Sequence, residues 1–109
     1  MSSNAVPDSV VGELLSRLTG ELGEVAAVPS GAATEFRRGN QVFAALHGGQ
    51  VSLRLRPDIA EAALRTPGTS ASTRGADWIE FQPDPSNQQD VDRLQAWLTI
   101  GWRAAQRHN

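Results

Sequence analysis

The sequence predicts an α+β domain: an antiparallel sheet of four to five strands, with an N-terminal helix, a short middle helix and a long C-terminal helix packed on one face. Three observations predict it. Apolar residues recur at helical spacing near both ends of the chain, in Val11, Leu14, Leu15, Leu18 and Leu22 and again in Val91, Leu94, Leu98, Trp102 and Ala105. Between them, apolar and polar residues alternate over Gln41–His47 and Gln50–Arg56, on either side of the turn signal Gly48-Gly49. The order of segments, with helices at both ends of a run of strands, is that of a sheet with its helices segregated to one side.

The first helix is expected over Pro7–Leu22, because proline suits a first helical turn and Gly20 or Gly23 can stop it. Val25–Val28 is a short candidate strand before the break at Pro29-Ser30-Gly31. Strands follow at Ala33–Arg37, Gln41–His47 and Gln50–Arg56. Pairing across Gly48-Gly49 sets Val42 against Leu55, Ala44 against Leu53 and Leu46 against Val51, all on the core face. Phe43, Arg54 and Arg56 then point away from it.

Upstream, a two-residue turn at Gly39-Asn40 would bring Arg37 into the core, at a high desolvation cost. A three-residue loop of Arg38-Gly39-Asn40 with Asn40 left-handed is expected instead, turning Thr34 and Phe36 inward. Pro57-Asp58 opens a short helix carrying Ile59, Ala62, Ala63 and Leu64, and Thr66-Pro67-Gly68 ends it. Thr69–Gly75 reads as a polar loop. Asp77–Gln82 reads as the last strand, with Ile79 and Phe81 inward and Trp78 and Glu80 outward. Ser86 and Gln89 have capping-box spacing, which starts the final helix at Ser86. Trp97 and Ile100 widen its apolar arc, a surplus that a dimer interface would use.

A chain of 109 residues is one domain, 1–109, with residues 1–6 expected as a flexible N-terminus. There is no cysteine, which removes disulfides, thiol nucleophiles and thiolate metal sites. No apolar run reaches the ~20 residues that span a bilayer, and the first residues lack the pattern of a secretory signal, so a cytoplasmic location without membrane contact is expected. The net charge of −2 disfavours nucleic acid as a partner. All 10 basic residues are arginine, which a GC-rich genome explains without a functional demand. Charge is uneven: residues 1–34 carry four acids against one arginine, whereas 35–56 carry four arginines against Glu35.

Phe43-Ala44-Ala45-Leu46, Val51-Ser52-Leu53-Arg54-Leu55, Pro57-Asp58-Ile59-Ala60-Glu61 and Trp78-Ile79 together resemble the YjbR/MmcQ-like family, whose members have a CyaY-like α+β fold. TfoX-like competence regulators carry a similar signature. The likeness covers Phe36 to Phe81, about half the chain. The final helix, with Trp97 and Trp102, departs from the family pattern. For function the resemblance implies little beyond DNA binding, which is often suggested for such proteins.

The sequence offers no catalytic set and no metal or cofactor site. His47 lies beside a turn and reads as solvated, and His108 is penultimate. Asp84, Asp90 and Asp92 sit where a helix dipole favours acids. Gly48-Gly49 joins two strands and is no phosphate loop. The outer sheet face is the candidate partner or ligand site, with Arg37, Phe43, Arg54, Arg56, Trp78 and Glu80 interleaving aromatic and guanidinium groups. An exposed Phe43 would be a liability on a bare monomer, which points to a self-associating interaction domain, a homodimer, rather than an enzyme. The alternatives are a DNA-binding protein of YjbR-like type and a small-ligand carrier or enzyme with a pocket near Trp78. The partners expected are a second copy, another protein or a small anionic ligand.

Overall fold

The computed structural model describes residues 6–107. The elements run α1 (Val6–Leu22), β1 (Ala26–Ser30), β2 (Ala33–Arg38), β3 (Gln41–His47), β4 (Gln50–Arg54), α2 (Pro57–Ala63), β5 (Thr69–Ala71), β6 (Trp78–Phe81) and α3 (Gln88–Arg107). The architecture is the α+β class that the segment order predicts. The sheet has six strands in the order β1-β2-β3-β4-β6-β5, all neighbours antiparallel. The extra strand is β5, from the segment read as a polar loop. It is an edge strand of three residues, too short and polar to show alternation, and Thr69 fixes its start with a hydroxyl whose one proton is shared between the Thr66 and Ala63 carbonyls. Of the N-terminus expected to be flexible, Val6 opens α1 and residues 1–5 lie outside the described residues, as does His108.

All three helices contribute to one core together with Ala44, Val51, Leu53, Ile79 and Phe81, so they cover one face of the sheet. The predicted stripe of α1 is buried at Val11, Leu14, Leu15 and Leu18, and Thr19 satisfies its buried hydroxyl by donating to the Leu15 carbonyl at 2.7 Å. In α2 the buried residues are Ala60 and Ala63, whereas Ala62 and Leu64 are exposed. The start of α3 is capped by Asn87, whose side-chain oxygen accepts from the Gln89 and Asp90 amides. Ser86 does not cap it, because its hydroxyl and amide both donate to Asp84. Those two bonds, the hydroxyl's first, hold the exposed Asp84 carboxyl below its ordinary range, with desolvation opposing weakly.

The β3–β4 hairpin has the predicted register, with Ala44 against Leu53, Leu46 against Val51, and left-handed Gly48 and Gly49 (φ 56° and 77°) making the turn. The strand leaves the ladder at Arg54, so Val42 and Leu55 are not a ladder pair.

The β2–β3 hairpin differs from expectation. Its turn is the two-residue Gly39-Asn40, with Arg38 paired to Gln41 and positive φ at Gly39 (62°) rather than at Asn40. A β-bulge restores the phase. Phe36 pairs with Ala44 and Arg37 with Val42, so Phe43 has no partner across the ladder. The bulge turns Phe43 into the core, where it is 1 % exposed, and leaves Val42 only half-buried.

Arg38 is consequently the arginine that enters the interior. It is 7 % exposed, its guanidinium carbon lies 3.5 Å from the centroid of the Trp102 ring, and it donates to the Trp102 carbonyl and to Glu24. Trp102 in turn donates its indole N–H to the Gly23 carbonyl at 2.9 Å. These contacts join the end of β2, the end of α1 and the second half of α3. They also absorb the aromatic surplus of α3, since Trp97 meets Phe81 edge-on with ring centroids 5.1 Å apart.

Arg38→Ala is expected to destabilise the fold by about 2 kcal/mol, from the lost cation–π contact and the lost charged hydrogen bond to the Trp102 carbonyl. Glu24→Ala should cost under about 1 kcal/mol, because Glu24 sits in solvent with its side chain 76 % exposed. Urea denaturation of the two variants separates these values; equal losses would assign the stabilisation to the ion pair.

Candidate functional site

The sheet face turned away from the helices carries alternate residues of the central strands. Register sets Glu35 beside Ala45, Ala45 beside Ser52 and Ser52 beside Glu80 in one row, and Arg54 beside Trp78 in the next. Arg54, Trp78 and Glu80 are therefore brought together as the alternation predicts. Arg37 is on the same face, further along β2, and donates to Glu35 at 2.8 Å.

Two expected members are elsewhere. Phe43 is in the core, because the bulge flips it; the exposed apolar surface that argued for self-association is thereby removed. Val10 and Leu64 are the large apolar side chains that remain exposed among the described residues, and neither belongs to a strand. Arg56 follows the end of β4, in extended conformation before Pro57 of α2, and makes a loose 3.5 Å ion pair with Asp58.

The charged heads on the outer face are held by neighbours that sequence reasoning did not assign to the site. Arg54 Nε donates to Asp77 Oδ2 at 3.1 Å and its Nη1 to Gln41 Oε1 at 3.0 Å. The carboxylate of Glu80 takes one hydroxyl on each oxygen, from Ser52 at 2.8 Å and from Ser72. Glu80 thus pairs with two serines, and the acid of Arg54 is Asp77 rather than Glu80. Beside them Trp78 is half-buried, with the Arg74 guanidinium 5.1 Å from its ring centroid. The Arg54–Asp77 contact depends on pairing β4 with β6 across an intervening helix and strand, so no local pattern signals it. Ser72 follows β5 and carried no signal while that segment read as a loop.

A cleft of about 410 Å³ opens next to this patch, lined by Pro57, Glu61, Leu64, Ser72, Gly75 and Trp78 among others. Among the described residues, no three His, Asp or Glu side chains are placed to hold a metal ion, and no helix is long and apolar enough to cross a membrane.

No protein-family model matches the chain, and no curated protein or solved structure matches it.

Proposed function

We propose that this chain is an interaction domain that recognises a protein partner through the outer face of its sheet, with Arg54, Trp78 and Glu80 at the centre of the contact. One observation carries the reading. Charged heads of both signs are fixed by side-chain hydrogen bonds on adjacent strands around a half-buried tryptophan, on the face opposite the core that the helices share. Side chains already locked in place lose little entropy on binding, and tryptophan and arginine are the residues that most often anchor protein contacts. Arg54 spends two of its five N–H donors on Asp77 and Gln41, and the others are available to a partner carboxylate.

The mixed charge favours protein over nucleic acid. Arg37 and Arg54 each have a carboxylate within 3.1 Å, which cancels much of the field a phosphate backbone needs.

The test uses affinity purification with wild-type protein and an Arg54→Ala/Trp78→Ala variant as parallel baits. A partner retained by the first and reduced at least about tenfold by the second is expected. Partners retained equally by both place the contact elsewhere. Sedimentation at high concentration runs alongside, and a dimer abolished by Trp78→Ala would make the partner a second copy. Binding to a short DNA duplex that weakens steeply with salt would replace this reading with the one the YjbR-like resemblance suggests.

The cleft beside Trp78 supports a second reading, a small-ligand site. A thermal-shift screen that finds a stabilising metabolite in the wild type but not in Trp78→Ala would favour it.

A further inference from the structure

On the opposite side of the sheet, α2 and α3 leave a slot of about 240 Å³ between them, lined by Arg56, Ile59, Ile100, Arg103 and Ala104. Its floor is apolar. Ile59 and Ile100 pack on the core yet stay partly exposed, and Ala104 adds a small side chain one helical turn beyond Ile100. Its charged groups are two guanidiniums. Arg103 is exposed and has no ion-pair partner among the described residues. Arg56 has only Asp58, at 3.5 Å with side-chain exposures of 64 % and 68 %, a contact weak enough to exchange for a better acceptor. An apolar floor between two forked cations is complementary to one kind of small molecule: an anion with a short apolar tail.

We propose that this slot binds a short-chain aliphatic carboxylate. The carboxylate accepts hydrogen bonds from Arg103 and Arg56, displacing Asp58 from the latter, and the tail lies between Ile59, Ile100 and Ala104. The slot, of about 240 Å³, is small, so the tail it takes is short, and hexanoate serves as the probe. The site is independent of the outer sheet face, so its fate does not depend on the partner proposed there.

The experiment is an amide NMR titration of the full chain with sodium butanoate, sodium hexanoate and hexylammonium chloride. Saturable shifts are expected at Ile59, Ile100, Arg103 and Ala104 with hexanoate. Butanoate should bind about fifteenfold more weakly, at about fourfold for each buried methylene lost. Hexylammonium should leave these amides unmoved, because it presents the wrong charge to the two arginines. Arg103→Gln, an exposed substitution whose fold the same spectrum checks, should weaken hexanoate at least about tenfold. Equal shifts with hexanoate and hexylammonium would overturn the proposal. So would undiminished hexanoate binding by Arg103→Gln, shifts that never saturate, or shifts centred on Trp78 instead.

Discussion

Phe43→Ala is expected to destabilise the domain by about 3–5 kcal/mol, a large share of the ~5–15 kcal/mol that holds a domain of this size together. The size of the effect follows from where the bulge puts the ring. Phe43 is 1 % exposed and belongs to the central cluster with Leu53, Ile79 and Leu94. Removing it deletes a whole aromatic side chain and leaves a cavity beneath α3, whose backbone at Gly101 is too close to the strands to settle further. Urea denaturation measures the loss directly, and an unchanged slope would show that the native state keeps its compactness. A phenylalanine on the open face would cost under about 1 kcal/mol, so a small loss would refute the bulged register itself. Val42→Ala serves as the internal comparison, since Val42 is only half-buried and should cost about 1 kcal/mol.

That contrast marks where the sequence could and could not be read. Helices α1 and α3 were legible because their apolar stripes recur over several turns, and the β3–β4 hairpin because Gly48-Gly49 fixes its phase. A bulge is different. It shifts a period of two by one residue and leaves no mark in composition, so strict alternation sends Phe43 outward and Val42 inward. The native chain gains by the exchange, because a phenylalanine buries more apolar area than a valine.

The same slip explains the arginines. Seen as a choice between burying Arg37 and lengthening the turn, the loop was the cheaper solution. Pairing through the bulge keeps Arg37 outside and sends Arg38 to a place where a buried guanidinium is compensated, against the face and carbonyl of Trp102. Trp97 and Trp102 of the α3 arc each meet a partner within the chain, Phe81 and Arg38.

The outer site was half legible. Alternation alone places Arg54, Trp78 and Glu80 on one face. The same alternation places Ser52 beside them, but which acid meets which arginine depends on long-range pairing, and Asp77 and Ser72 became members only once β6 lay between β4 and β5.

Gly101→Ala offers the sharpest opposition between local propensity and packing. Within a long helix, replacing glycine by alanine should stabilise by about 1 kcal/mol, because glycine loses the most backbone entropy on folding. At Gly101 the added Cβ would lie 2.8 Å from the Arg54 carbonyl oxygen and 3.2 Å from that of Phe43. Both obstacles are strand backbone, which has no rotamer to change, so α3 must lift from the sheet. Overpacking against backbone lies at the upper end of about 1–3 kcal/mol and here outweighs the propensity gain, giving an expected net loss of about 1–2 kcal/mol. Gly101→Val adds two further methyl groups at the same contact and should lose more than Gly101→Ala. Gly20→Ala in α1 is the matched control, because its new Cβ meets nothing within 4 Å, and a gain of about 0.5–1 kcal/mol is expected there. Thermal and urea denaturation of the three variants decide between the two forces. A stabilised Gly101→Ala would mean that α3 rides higher on β3 and β4 than its contacts with Phe43 and Arg54 describe. The helix would then no longer hold Ile100, Arg103 and Ala104 at the height that forms the slot with α2.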